Sequence, residues 1–159
     1  MHEKVMEILV YLMKQIQEEH GQFDDIGHVS QTLIGHGYTQ HEVNTAFTWL
    51  FERLQAQSEE LAGQMPPLHP RPNRVLHTIE RLVISPEAYG YIIQLRELGL
   101  IDDVQTEMII ERAMLTGSRH VTQDDIKAIA ASILLDFDVT ERSHQNLPWY
   151  GGERNIPVN

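Results

Sequence analysis

The chain has 159 residues, with 23 acidic side chains against 12 basic ones and a formal charge of −11. Such a chain repels phosphate backbones on average, and no block of lysine or arginine offsets that excess. Cysteine is absent, so disulfides, thiol catalysis and thiolate metal sites are excluded.

Composition is that of a globular domain, with 42% hydrophobic and 22% charged residues. No stretch approaches the roughly 18 apolar residues that span a bilayer. The segment Met1-His2-Glu3-Lys4-Val5 runs straight into an amphipathic pattern, without the apolar block of a signal peptide. A cytoplasmic location with no membrane partner is expected.

Helical periodicity appears at once. Val5, Ile8, Leu9, Leu12 and Ile16 make one stripe of a helix over 3–19, and Gly21 follows as a stop. A shorter helix is predicted over 25–34, capped by Asp24 or Asp25, with Ile26, Val29 and Leu33 inward. Gly35-His36-Gly37-Tyr38 breaks it. Thr39 and Glu42 then form a capping-box pattern, opening a third helix to about Gln57. Its predicted inward face is Val43, Ala46, Phe47, Leu50, Phe51 and Leu54.

Residues 58–73 hold four of the seven prolines and read as a linker. The stretch 74–84 fits a short extended segment, Arg74 to Thr78, followed by one helical turn. Ser85-Pro86-Glu87 starts the next helix, which buries Ala88, Tyr91, Ile92, Leu95 and Leu98 and stops at Gly99. Asp102 with Gln105, or Asp103 with Thr106, caps another helix, whose apolar face is Ile109, Ile110, Ala113 and Met114. Thr122-Gln123-Asp124-Asp125 opens the last one, with Ile126, Ile129, Ala130, Ile133, Leu134 and Phe137 inward. Periodicity ends near Asp138. The remainder, with Pro148, Gly151, Gly152 and Pro157, reads as a flexible tail.

The predicted fold is therefore all-α. It has two three-helix, helix-turn-helix-like units at 1–57 and 74–138, a Pro-rich linker at 58–73 and a tail at 139–159. A shift of about 83 residues lays Tyr38–Val43 over Val121–Ile126, which suggests an internal repeat. Shared helical grammar explains the same match, since amphipathic helices with Thr caps align by period alone.

No catalytic constellation is legible. The pairs Asp24-Asp25, Asp102-Asp103 and Asp124-Asp125 all stand at helix starts, where acids cap free N–H groups. No phosphate loop or GxSxG elbow occurs, and the serines lack a His/Asp partner set. His28, His36 and His41 lie close in sequence without metal-ligand spacing, so solvent exposure is the expectation and no metal or cofactor is predicted.

A non-enzymatic adaptor that binds another protein is the reading these features favour. Trp49, with Phe47, Phe51 and Tyr38, makes a broad apolar surface, expected either to pack between the units or to form a partner groove. Trp149 and Tyr150 form a second aromatic cluster in the tail. The alternative is a nucleic-acid-binding helix-turn-helix, with Gln40, His41, Asn44, Thr45 and Thr48 presented to base edges and Arg53 as the first cation on that face. Glu42 and Glu52 flank the face, which makes direct high-affinity binding to nucleic acid a poor expectation.

The run Val5-Met6-Glu7-Ile8-Leu9-Val10-Tyr11-Leu12, the Gly37-Tyr38 turn with Glu42-Val43 and Trp49-Leu50, and Arg74-Val75 with Glu80 and Leu82 form an ordered set. It continues through Ala88-Tyr89-Gly90-Tyr91, Gly99-Leu100-Ile101-Asp102 and Glu107 to Met114. Together these resemble the bacterial Smg family over about residues 1–137. Thr106 departs from the pattern, which often has Arg there. The resemblance implies a bacterial cytosolic setting. It also implies genomic proximity to a DNA-processing protein and a type I topoisomerase, and it supplies no catalytic residues.

Overall fold

A computed structural model of the chain describes residues 2–19, 25–61 and 74–145. The described residues form seven helices, with one isolated parallel bridge between Ile84 and Val121. The fold is all-α, as the periodicities require.

Helix α1 (His2–Glu18) buries Val5, Met6, Ile8, Leu9 and Leu12 on one stripe. It packs against both α3 and α7, the third and last helices of the chain. Helix α2 (Ile26–Gly35) starts at Asp25, whose carboxylate accepts from the Gly27 and His28 N–H groups at 2.9 and 3.3 Å. Only Leu33 of α2 is buried. Ile26, expected to point inward, is exposed, because α2 packs mainly on α3 and one neighbour is too narrow to cover its first turn.

Gly37 carries the chain through φ 98°, a conformation that favours glycine. Helix α3 (Gln40–Leu61) then begins with the predicted box. Glu42 N–H donates to Thr39 Oγ1 at 3.2 Å, and Thr39 N–H donates to Glu42 Oε2 at 2.9 Å. It runs past Gln57 to Leu61, correcting the expected linker start at Ser58. The reason is local: after Gly37, no glycine or proline occurs before Gly63, and Pro66 follows it.

Residues 74–77 are irregular and lead into α4 (Thr78–Val83). Beyond it, Val121 N–H donates to Val83 carbonyl at 2.7 Å and Ser85 N–H to Val121 carbonyl at 3.1 Å. Helix α5 (Pro86–Glu97) starts at Ser85, whose hydroxyl accepts from Ala88 N–H at 3.1 Å. Its predicted inward residues Ala88, Tyr91, Ile92, Leu95 and Leu98 are all buried. Of the two cap candidates for α6 (Asp103–Leu115), Asp102 with Gln105 is the pair in place, at 2.7 and 3.0 Å. Thr106 is buried one turn in, and its hydroxyl donates to Asp102 carbonyl at 2.7 Å.

Helix α7 (Gln123–Gln145) opens on a reciprocal box between Thr122 and Asp125. It continues past Asp138 to Gln145, so the helical backbone reaches further than the tail boundary at 139 predicted. No proline or glycine lies between Val139 and Gln145, and the next breaker is Pro148. Helix α7 packs on α1, α5 and α6, and buried side chains from Val5 to Leu135 form one cluster. The two halves of the chain therefore share a core.

Candidate interaction face

One side of α3 meets α1 and α2, and the other faces water. Gln40, Asn44, Thr48, Phe51 and Gln55 recur at three- and four-residue steps, which places them on one stripe. All five are exposed, and His41 lies exposed beside them. Gln40 Nε2 donates to Asn44 Oδ1 at 2.8 Å, which orders the start of the stripe. Thr45 is half-buried at the edge, its hydroxyl donating to His41 carbonyl at 2.8 Å. Phe51 is 46% exposed, and its ring stacks on Phe47 with centroids 6.2 Å apart. The face is thus hydrogen-bonding, nearly uncharged, and carries one half-exposed aromatic ring.

The aromatic surface expected around Trp49 is packed rather than open. Trp49 is 4% exposed and Phe47 is buried, so both belong to the core. Arg53 explains the closure. Its guanidinium sits 5.6 Å from the centre of the Trp49 ring, and Nη2 donates to Gly99 carbonyl at 3.5 Å. The turn after α5 therefore joins Arg53 in covering Trp49, and of the expected apolar surface only Phe51 remains substantially exposed. Arg53 is correspondingly turned to the protein, which leaves the α3 face without the cation that phosphate contact would use. Glu42, expected to flank that face, is buried in the Thr39 cap.

Tyr38 is half-buried, and its hydroxyl donates to Glu7 Oε2 at 3.0 Å. Burial, then the bond to Glu7, pushes its pKa upward. Trp149 and Tyr150 lie outside the described residues. His28, His36 and His41 are all exposed, and no group of three metal-binding side chains converges among the described residues. An open cleft of about 430 Å³ lies between the start of α1 and α7, lined by His2, Glu3, Ala128, Ala131 and Ser132. In this lining the Ser132 hydroxyl donates to Ile129 carbonyl at 2.8 Å and accepts from Arg112 Nη1 at 3.2 Å.

Two features were not read from the sequence. The first is an ion-pair cluster on Arg74. Its guanidinium donates through both Nη atoms to Glu80, at 2.7 and 2.8 Å, and Nε lies 2.5 Å from Glu107 Oε1. The Tyr89 hydroxyl donates to the Arg74 carbonyl, and His77 N–H donates to Glu80 Oε2 at 2.8 Å. Bonding to Arg74 pulls the Glu80 carboxyl down to about 2. Arg74, Glu80, Tyr89 and Glu107 all belong to the residue set that carried the family resemblance. The second feature is an outward apolar ridge of Ile79 and Leu82 on α4 and Val75 in the segment before it. Spacing hid it, because Leu76, Glu80 and Val83 alternate with it on the inward side, so the segment shows no apolar–polar contrast.

An all-α protein with a single core and an uncharged exposed helix face defines the class. The chain belongs to the Smg family: residues 5–147 match the family model described as "Protein of unknown function (DUF494)". It is similar to a protein named "Protein Smg homolog" in Xylella fastidiosa (strain M23), 29% identical over 141 residues that cover 86% of this chain and 85% of the relative. A relative of the same name in Stenotrophomonas maltophilia (strain K279a) is 28% identical over 145 residues, covering 91% and 90%. One from Methylococcus capsulatus is 26% identical over 135 residues, covering 84% and 83%. No solved structure matches the chain. No helix among the described residues is long and apolar enough to cross a membrane.

Proposed function

We propose that the chain is a non-enzymatic helical adaptor that binds another protein through the exposed face of α3. The observation that carries this reading is the stripe Gln40, Asn44, Thr48, Phe51 and Gln55, exposed along its length and free of charge. The cores of protein–protein interfaces are depleted in charge and enriched in aromatic rings, and this stripe has both properties. Nothing on it resembles a reaction centre. A bacterial cytosolic setting, and the family's genomic company, put DNA-handling proteins first among partners to try.

The test is affinity capture from a native bacterial lysate, with wild type compared against Phe51→Ser and Asn44→Arg. At least one protein retained by wild type should be lost with both variants while folding is unchanged. Identical recoveries would remove the α3 face from consideration. The nucleic-acid reading uses the same stripe but needs cations, and Arg53 is half-buried against Trp49. Band shifts at about 100 mM salt, where only contacts within roughly 10 Å survive screening, should show no complex with duplex DNA, single-stranded DNA or RNA. A specific shift abolished by Asn44→Arg would overturn the adaptor reading in favour of direct binding.

A further inference from the structure

We infer that the α4 ridge is the interface between two copies of this chain, packed antiparallel across a two-fold axis. This goes beyond the adaptor reading and uses a different surface.

Ile79 and Leu82 on α4, and Val75 in the segment just before it, lie between 65% and 76% exposed, while no residue of α4 is buried. Helix α4 packs on α6. Arg74 meets Glu107 at one end, and the Val83–Val121 hydrogen bond lies just past the end of α6 at the other. The two helices therefore run side by side in the same direction. On α6, Val104, Glu111 and Leu115 fall on one stripe with Glu107 at its border. Val104 and Leu115 are 69% and 76% exposed. Five large apolar side chains thus stand out of the α4–α6 layer.

Area and charge both point to a second copy. At roughly 100 Å² each, five side chains offer about 500 Å² per copy, and a pair buries about 1,000 Å² in total. That total is near the lower limit for a specific interface, so association should be weak and concentration-dependent. The charges at the two ends differ in sign. Around Val75 the exposed acids are Glu107, which also meets Arg74, and Glu111 one turn further along α6, while Glu80 is turned inward onto Arg74. Around Leu82, Arg81 and Arg119 are exposed against a single Glu87. A two-fold axis across Ile79 lays the cationic end of one copy over the acidic end of the other. The same patch is then used twice, as an isologous contact requires.

Sedimentation equilibrium of the purified chain between about 1 µM and 1 mM tests the inference. Wild type should pass from monomer to dimer across that range. Ile79→Ser with Leu82→Ser, both at exposed positions, should raise the dissociation constant at least about tenfold with an unchanged far-UV spectrum. Arg81→Glu and Glu111→Arg should each weaken the dimer, and the two together should restore it. Because the chain has no cysteine, Ile79→Cys introduces its sole thiol, and oxidation should yield a disulfide-linked dimer while Ser58→Cys on α3 should not. A monomer at every concentration overturns the inference, and so does a dimer indifferent to the serine pair. Loss of self-association leaves capture through Phe51 unchanged, so failure here is distinguishable from failure of the adaptor reading.

Discussion

Lys127 on α7 donates to Glu7 on α1 at 3.0 Å, across 120 residues of sequence. The Tyr38 hydroxyl donates to the other oxygen of the same carboxylate. Glu7 therefore ties the turn before α3 to the last helix, from α1, which packs on both α3 and α7.

Acid should destabilise the fold through a small set of carboxylates. Burial pushes the Glu7 pKa up, but the bonds from Lys127 and Tyr38 outweigh it, and the net shift is downward. Thr39 N–H holds Glu42 low, Thr122 N–H holds Asp125 low, and Arg74 holds Glu80 at about 2. A carboxylate lowered by folding contributes stability that is complete above its unfolded value, near 4, and is lost as pH falls through its folded value. Melting temperature should be flat from about pH 7 to 5 and fall steadily toward pH 2. Calorimetry across that range checks it, and a maximum below pH 4 contradicts it.

Arg74 should not be replaceable by lysine. Its two Nη atoms grip Glu80 while Nε reaches Glu107, a fork that an ammonium cannot reproduce. Arg74→Lys and Arg74→Met should both lower unfolding free energy by about 1–2 kcal/mol, most of it from Glu80, because Glu107 is well exposed. Urea denaturation gives the difference. In Arg74→Met, the acid limb of the melting curve should also lose its lowest-pH portion.

Trp49 and Phe51, two residues apart, should behave oppositely. Trp49→Ala removes a ring from the core and should destabilise by about 3–5 kcal/mol, without selective loss of any partner. Phe51→Ala removes a half-exposed ring and should destabilise by about 1 kcal/mol or less. Equal stability losses at the two positions would contradict their burial difference.

Matching caps open α3 and α7. Thr39→Ala and Thr122→Ala should each destabilise by about 1 kcal/mol. The caps lie in different turns and share no bonding partner, so the double variant should show the sum within about 0.5 kcal/mol.

Helix starts were the most legible part of the sequence. Thr39 with Glu42, Ser85 with Pro86, and Asp102 with Gln105 each satisfy backbone donors within a few residues, so their geometry needs no distant partner. Helix ends were less legible, because α3 and α7 run on for as long as no breaker intervenes. Side-chain exposure was hardest where two helices compete for one neighbour. Periodicity puts Phe51 and Trp49 both close to the apolar arc of α3, and only the arrival of Arg53 and the Gly99 turn decides which is covered. The α4 ridge escaped for a related reason: Leu76 and Ile79 look alike until α6 and α7 define which side is inside. The uncharged α3 stripe was visible residue by residue, but its exposure follows from α1 and α2 packing on the opposite side.

The position of α1 has a consequence for synthesis. Its buried stripe needs α7 as well as α3, and Lys127 follows Glu7 by 120 residues. At roughly 5–20 residues per second, α1 waits about 6–24 s on the ribosome after it is made before its second neighbour exists. During that interval the buried stripe of α1 lacks its α7 neighbour. Truncated nascent chains lacking α7 should therefore be the species that chaperones hold, and release should coincide with the emergence of the last helix.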